Sequence, residues 1–238
     1  MLKQRRMGTL LLAALVGLVI AIASTQVPAS AQIDLVTIQE ILDSDRVFIE
    51  QNPAKVNDTA SFKQTVSTQE ARASLAFNNG SVGRMGPNSK ITIGQCIEVK
   101  EGLLLASGPA NGCAANFEVA VQGTVYVLEV DKQGQSSVKV LEGEVQVNKT
   151  GSSEKLAIAQ GKRLDISPDG FFSQLFDLSQ ADIENLLQGS LFNGFQIPIP
   201  GAGKLQEALQ SLYPNINLPR LPGFNLPGLP GGFPGLPF

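Results

Sequence analysis

The fold class of this chain is decided by one stretch of its middle part, Val138-Lys139-Val140-Leu141-Glu142-Gly143-Glu144-Val145-Gln146-Val147. Valines alternate with other residues on each side of Gly143, and this period-two alternation is typical of half-buried strands. A glycine inside such a pattern marks a bend, because it tolerates backbone conformations that other residues avoid. The stretch therefore predicts two strands that meet at a bend.

The same pairing of a polar residue with a glycine recurs along the middle of the chain. Its five glycines are Gly80, Gly102, Gly123, Gly143 and Gly161, at spacings of 22, 21, 20 and 18 residues. Turn-forming clusters lie between the extended runs. The repeat predicts an all-β fold, built as stacked coils of a β-solenoid or as a twisted β-roll. An antiparallel meander folded into a sandwich has the same spacing and remains an alternative.

Two strands are predicted ahead of the repeat, from Ile33 to Ile41 and from Val47 to Glu50. The residues between them, Asp43-Ser44-Asp45, are typical of a turn. A calcium site is the alternative for this Asp-x-Asp pattern, but Ca²⁺ takes about six to eight oxygen ligands and the segment offers few. We expect the all-β domain to occupy residues 32–170.

Two short helices are predicted after Gly170. Ser179-Gln180-Ala181-Asp182 resembles a capping box, and the apolar residues behind it keep helical spacing until Gly189. A second apolar stripe, from Leu205 to Leu212, ends before Pro214. Residues 171–214 are therefore interpreted as a helical extension that caps the sheet domain.

The last segment, residues 215–238, is rich in Pro, Gly, Leu and Phe. From Leu221 to Phe238 it carries no charge. Such a composition supports neither a regular helix nor a strand, so a disordered tail is predicted. Its exposed Leu and Phe residues make a docking segment the alternative.

The first 31 residues have the pattern of a secretory signal peptide. Lys3, Arg5 and Arg6 precede an apolar run from Leu10 to Ile22, and Ala29-Ser30-Ala31 is a small-x-small cleavage site. We expect cleavage between Ala31 and Gln32, a periplasmic or extracellular location, and no stable membrane span afterwards. An uncleaved N-terminal anchor is the alternative.

Composition excludes several classes of function. The chain of 238 residues has no His and no Trp, and its 18 Lys plus Arg against 21 Asp plus Glu give a net charge of −3. Histidine triads and histidine-ligated metals are thus excluded, and nucleic acid is not expected as a partner. The acids Glu129, Asp131, Glu142 and Glu144 are interpreted as solvated strand faces. We expect no catalytic residue, no metal and no cofactor.

Cys96 and Cys113 are the only cysteines. In an exported chain an isolated pair predicts a disulfide. Two free buried thiols or a redox pair are alternatives, although the two cysteines do not have the Cys-x-x-Cys spacing that is typical of a redox pair.

Four motifs in order resemble the FecR-type extracytoplasmic domain: Ala71–Ser81, which includes Gly80-Ser81; Gly86–Ile91, which includes Asn88-Ser89; Gly123-Thr124-Val125-Tyr126-Val127; and Val140–Val145, which includes Glu142-Gly143. The likeness covers roughly residues 35–168. It implies an all-β periplasmic domain, known best from iron-siderophore sensors, in which it relays the occupancy of an outer-membrane receptor to a sigma factor.

Two departures from that family change the expected role. The sensors have a cytoplasmic sigma-regulating segment and a membrane span ahead of the domain, whereas nine residues precede the apolar run here. Their receptor-contacting C-terminal domain is replaced by the helices and the tail. We therefore expect an exported, non-catalytic FecR-like module for binding, sensing or scaffolding, with an unknown envelope protein or polysaccharide as partner. A polysaccharide-active enzyme and a structural envelope or matrix protein assembled through its tail are the alternatives.

Overall fold

The structure is a computed structural model that describes residues 32–224. The predicted signal peptide and the end of the tail lie outside these residues. The described elements, in chain order, are β1 Leu35–Leu42, β2 Val47–Ile49, β3 Asn52–Pro53, β4 Thr59–Ser61, β5 Thr65–Thr68, β6 Arg72–Phe77, β7 Val82–Met85, β8 Lys90–Thr92, β9 Ile97–Gly108, β10 Gly112–Ala114, β11 Phe117–Val121, β12 Thr124–Val130, β13 Ser136–Glu142, β14 Glu144–Lys149, β15 Lys155–Ala159, β16 Lys162–Ile166, β17 Phe176–Asp177, α1 Gln180–Gln188 and α2 Ala202–Leu212.

The strands form two sheets that share β9. The first sheet, called sheet A, has the order β4-β1-β6-β7-β9-β12-β13-β16-β17. Sheet B has the order β3-β2-β5-β8-β9-β10-β11-β14-β15. Its β9–β10 pair is parallel, and all other pairs are antiparallel. The first half of β9 lies in sheet B and the second half in sheet A, so this strand joins the two layers.

The chain crosses between the sheets at residues with a positive φ. Four of the five repeat glycines, namely Gly102, Gly123, Gly143 and Gly161, lie at such corners, with φ between 77° and 90°. Gly80 differs, because it closes the β6–β7 hairpin inside sheet A. The all-β class and the two C-terminal helices are confirmed. The bent strands run antiparallel to one another, which is the strand arrangement of the meander that the spacing had left open.

Earlier in the chain, the same corners are made by residues other than glycine. Asp43, Lys63 and Asn88 have φ of 71°, 69° and 51°, at the crossings β1–β2, β4–β5 and β7–β8. Asparagine and aspartate adopt this conformation more readily than most residues. The two-layered roll therefore begins well before the glycine repeat does.

The main hydrophobic core lies between the two sheets. Fully buried side chains from both layers fill it, among them Tyr126, Phe117, Ile38, Leu75, Met85, Ile91, Ile97 and Leu104. Each such aliphatic side chain contributes about 1.5–3 kcal/mol by leaving water. The hydroxyl of Tyr126 donates to the carbonyl oxygen of Ala110 at 2.9 Å, which satisfies the one polar atom of this side chain.

A second hydrophobic cluster covers the outer face of sheet A. Val125, Val127 and Leu141 point outward from the sheet, and α1 and α2 pack on them. The helices use the stripes that the sequence predicted, with Ile183, Leu187, Leu205 and Leu209 all buried. Ser179 caps α1 through a complete capping box, as expected. The helices thus shield an apolar sheet face from water.

The chain after α2 continues to pack on this cluster. Ile216, Leu218, Leu221 and Phe224 are partly buried against it. The folded unit therefore extends about ten residues into the segment predicted as a tail, as far as the described chain goes. The last strand, β17, also lies beyond residue 170, at the edge of sheet A.

Candidate functional site

A groove of about 360 Å³ separates α1 from the outer face of sheet A. Leu103, Glu129, Lys139 and Arg163 line one wall, and they come from the neighbouring strands β9, β12, β13 and β16. The other wall is formed by α1 and the residues that follow it, Asp182, Ile183, Asn185, Leu186, Gly189, Ser190 and Leu191. The site thus combines an apolar floor with charged groups on its sheet wall. Its volume is in the range of small-ligand sites.

The two cations of the sheet wall lie opposite each other. Lys139 and Arg163 are cross-strand partners, an arrangement of like charges that destabilises a sheet unless acids compensate it. Lys139 Nζ lies 2.9 Å from a Glu129 carboxylate oxygen, and an Arg163 nitrogen lies 3.0 Å from Asp165. Each cation therefore has its own acid.

Arg163 keeps one donor without a protein partner. Its guanidinium lies 5.1 Å from the centroid of the Phe176 ring, which holds the side chain against the sheet. Its Nε is buried and makes no hydrogen bond within the described residues. The Arg163 side chain as a whole is 37% exposed, so its charge is accessible at the groove although this one atom is not.

Asp182 at the rim of the groove is a helix cap. Its carboxylate accepts hydrogen bonds from the side chain and the backbone N–H of Ser179 at 2.7 and 2.9 Å. These bonds, with smaller contributions from Arg163 and Lys139, hold the pKa of Asp182 below its usual value. The group is therefore ionised at neutral pH and is not poised to donate a proton.

Beyond the groove, a segment called here the strap, residues 190–200, runs across sheet A to α2. Arg84 is 2% exposed and donates to the carbonyl oxygens of Leu191 at 3.2 Å and Ile197 at 2.7 Å. Burial lowers the pKa of Arg84 to about 10, although Glu40 opposes that shift. The Phe195 ring packs 4.5 Å from its guanidinium.

A second arginine, Arg72, also binds the strap and contacts the Phe195 ring. Arg72 donates to the carbonyl oxygens of Ser190 at 2.9 Å and Asn193 at 2.5 Å, and its guanidinium lies 5.4 Å from the Phe195 ring centroid. Asp43 forms an ion pair with the same arginine. Phe195 therefore contacts two cations.

Glu40 on β1 completes this arrangement, which we call the clasp: Glu40, Arg72 and Arg84. Its carboxylate accepts the backbone N–H groups of Gln196 at 2.8 Å and Ile197 at 3.2 Å. The clasp thus hydrogen-bonds to both carbonyl and N–H groups of the strap backbone. A site that binds a peptide uses the same kinds of contact, and here the bound segment belongs to the chain itself. Sequence reasoning missed all three clasp residues.

The residues that carry the family resemblance do not line the groove. Gly80 and Ser81 lie in the β6–β7 hairpin, where the Ser81 N–H and hydroxyl both donate to the Asn79 side-chain oxygen. Asn88 and Ser89 form the β7–β8 corner. The Ser89 hydroxyl oxygen accepts the N–H of Leu103 at 2.9 Å.

The other motif residues meet at two further corners. Gly123 lies at the β11–β12 corner and Gly143 at the β13–β14 corner. A Cβ on Gly143 would lie 2.8 Å from Thr124 Cγ2, so the two corners are in close contact. Burial raises the pKa of Glu142, and the charge of Lys204 opposes the shift. These residues shape the backbone of the roll.

The four acids interpreted from the sequence as solvated strand faces are dispersed. Of these, Glu129 lines the groove, and Asp131 accepts the N–H groups of Gln133 and Gln135 in a turn. Glu144 is exposed on β14. Asp43, part of the Asp-x-Asp turn, pairs with Arg72. Residues 32–224 contain no group of three or more His, Cys, Asp or Glu that could hold a metal ion.

Cys96 and Cys113 are joined in a disulfide, with their Cα atoms 5.8 Å apart. The bond lies beside the parallel β9–β10 pair, where Cys113 is the partner of Glu98. It therefore ties the chain that returns from sheet A to the start of β9. No helix of the described chain is both long and apolar enough to span a bilayer.

Comparison with known proteins gives distant similarities of structure. No family model and no curated protein sequence matches the chain. Two crystal structures of a proposed anti-sigma factor from Parabacteroides distasonis, at 1.65 and 2.50 Å resolution, resemble it with a TM-score of 0.46 each. The first is 13% identical and the match covers 63% of this chain and 74% of that chain; the second is 14% identical and covers 61% and 73%.

Proposed function

We propose that this chain is an exported, non-catalytic FecR-like module that binds a protein partner of the cell envelope through the groove between α1 and sheet A. One observation carries the proposal: Lys139 and Arg163 stand side by side in a groove that five leucine and isoleucine side chains also line. Such a surface suits a peptide segment that presents a carboxylate next to apolar side chains.

The charge states of the groove favour binding over proton transfer. A general acid near neutrality needs a carboxyl whose pKa is raised, whereas the pKa of Asp182 is lowered by its helix-capping bonds. Glu129 is engaged with Lys139. Glu129 therefore acts as the counter-charge of Lys139, and Asp182 belongs to the cap of α1.

The lining of the groove also favours a protein over a polysaccharide. Sites that bind sugar chains commonly stack aromatic rings on the sugars, and no aromatic side chain lines this groove among the described residues. Leucine and isoleucine dominate its floor instead, which fits apolar side chains of a peptide. The disulfide is consistent with an extracytoplasmic location.

Site-specific photo-crosslinking in the native envelope tests the proposal. A photoreactive residue at Asn185, on the groove wall, should give a discrete protein adduct, and the same residue at Lys155, exposed on β15, should give none of that mass. The double substitution Lys139→Glu and Arg163→Glu should remove the Asn185 adduct. Adducts of equal yield from both positions, or an adduct that persists in the double variant, would contradict the proposal.

A further inference from the structure

A five-residue segment of the strap recurs near the end of the chain. Gly194-Phe195-Gln196-Ile197-Pro198 recurs as Gly223-Phe224-Asn225-Leu226-Pro227. The Gly, Phe and Pro are identical, and the other two positions hold a side-chain amide and an aliphatic residue in both segments. Between them, Ile216-Asn217-Leu218-Pro219 repeats the last four positions with an aliphatic residue in place of phenylalanine. The pattern is thus an apolar anchor, a side-chain amide, an aliphatic residue and a proline.

The first copy is bound by the clasp through each of its features. Phe195 is 1% exposed and contacts the guanidinium groups of both Arg72 and Arg84. The backbone N–H groups of the next two residues donate to Glu40, and the carbonyl oxygen of Ile197 accepts from Arg84. Both the anchor and the backbone that follows it are therefore recognised.

The second copy shares one of these contacts, a backbone N–H on a glutamate carboxylate of α1. Ile216 packs on the outer cluster, and the N–H of Asn217 donates to the Glu184 carboxylate at 3.0 Å. That backbone bond is the largest of the effects that hold the pKa of Glu184 below its usual value. In both copies an apolar anchor, fully buried at Phe195 and partly buried at Ile216, is followed by an amide N–H on a glutamate carboxylate.

The third copy begins where the first one ends. A Cβ on Gly223 would lie 2.7 Å from Ala202 Cβ and 3.1 Å from Pro198 Cβ, so the chain reaches the end of the strap at this point. Phe224 lies on the outer cluster, and the rest of the copy is outside the described residues.

We propose that the third copy, Gly223–Pro227, binds the clasp of a second copy of this chain, in exchange with that molecule's strap. The same molecule's clasp is a poorer target. Its strap leads directly into α2, and the tail is anchored beside α2 on the outer cluster. Displacing the strap would therefore loosen the anchor of its own tail, whereas a neighbouring molecule's tail keeps its anchor.

The strap sets the affinity that such a ligand can show. A ligand that binds only the open clasp has an apparent affinity reduced by the fraction of molecules in which the strap has left. Weakening the strap raises that fraction and should tighten binding of the third copy. Phe195→Ala removes the anchor, and Gly194→Ala strains a residue with φ of 86° without removing any buried side chain.

A labelled peptide of residues 221–231, titrated by fluorescence anisotropy against the full chain purified after export, tests the recognition. We expect the apparent Kd to fall at least tenfold in the Phe195→Ala chain and several-fold in the Gly194→Ala chain. Phe171→Ala, at a ring that is 67% exposed and distant in sequence from the strap, should leave it unchanged. The peptide with Phe224→Ala should not bind. Equal affinity for all four chains, or equal binding of both peptides, would overturn the proposal.

Sedimentation velocity of the full chains tests the partner. The Phe195→Ala chain should associate as its concentration rises, and Phe224→Ala in the same chain should abolish this association. A Phe195→Ala chain that binds the peptide but stays monomeric at every concentration would overturn the assignment to a second copy and place the third copy in its own clasp. Substituting Glu40→Gln in the Phe195→Ala chain should weaken both peptide binding and association, because the receptor carboxylate is lost.

Discussion

Gly102 and Ser89 are packed so closely that a Cβ built on Gly102 would lie 2.5 Å from Ser89 Cα and would also overlap Ser89 Oγ. Gly102 is the corner at which β9 passes from sheet B to sheet A, and Ser89 belongs to the corner between β7 and β8. The two corners therefore interlock. Because one of the contacted atoms is backbone, no side-chain rotation relieves a larger residue at position 102.

This contact predicts that Gly102→Ala is far more destabilising than the same change at Gly123. Both are corner glycines with positive φ, but a Cβ on Gly123 meets nothing within 4 Å. Left-handed backbone alone costs about 1–2 kcal/mol for alanine, and overpacking at position 102 adds about 1–3 kcal/mol. Urea unfolding of the two variants measures the difference. Equal losses of unfolding free energy in the two variants would mean that Ser89 moves away from the new Cβ at little cost.

Acid sensitivity should depend on Asp182. Its native pKa lies below the usual value of 3.8, so the carboxylate stabilises the fold above that pH and the contribution is lost as the pH falls through the native pKa. Asp182→Asn keeps an acceptor for Ser179 but does not titrate, and Ser179→Ala removes the main cause of the shift. Both variants should lose less stability than the native chain between pH 5 and pH 2, measured as urea midpoints. Urea midpoints that fall equally with pH in the native chain and in both variants would refute this role of Asp182.

Loss of the Cys96–Cys113 bond should lower stability by about 3 kcal/mol in the chain-entropy model. For a chain of this size that corresponds to a fall in Tm of about 6–12 °C. Thermal melting of the exported protein with and without reductant gives the value, and the Cys96→Ser, Cys113→Ser double variant should melt like the reduced protein. Alkylation of both thiols in the unfolded, unreduced protein would show that the bond does not form on export.

Tyr126→Phe should destabilise the core by about 1–3 kcal/mol, because it leaves the buried carbonyl of Ala110 without its donor. Burial also raises the pKa of Tyr126 above its usual value. The control is Tyr213→Phe, whose hydroxyl donates to Leu178 from a partly exposed position. The Tyr213→Phe variant should lose less stability, since water can replace the donor at this partly exposed position. Chemical unfolding compares the two.

Export should remove residues 1–31. The cleavage pattern ends at Ala31, so the mature chain should begin at Gln32, the first residue that the structure describes. Intact mass of the protein from the extracytoplasmic fraction decides this. Retention of residues 1–31 in the membrane fraction would support an N-terminal anchor instead.

The sequence predicted those elements whose ends are determined by neighbouring residues. The capping box at Ser179 and Asp182 gave the start of α1, and Gly189 gave its end. Valine alternation around Gly143 gave β13, β14 and the bend between them. The corner at Asp43 lies in a turn that the sequence predicted, whereas the corners at Lys63 and Asn88 had no comparable signal, because a single residue with positive φ leaves little trace unless it is glycine.

The clasp could not be predicted because its partners are distant in sequence. Arg84 lies 107 residues before Leu191 and 113 before Ile197, the carbonyls it binds. One trace existed: Arg84 stands between Val82 and Met85 in a strand that is buried along its whole length. A lone cation in an apolar strand indicates a buried partner, but the sequence does not name that partner.

The bent strands also determine how the molecule would respond to mechanical load. Since β9 and the strands that bend at Gly123, Gly143 and Gly161 each run through both layers, the sheets cannot slide past one another as separate plates without stretching a covalent chain. A force applied to the chain after α2 instead peels one edge of the molecule, reaching the two residue pairs that hold β17 to β16 once the helices and the strap have come away. The roll is therefore stiff in shear and weakest in unzipping from its C-terminal edge, and there the helices and the strap are the elements that must detach first.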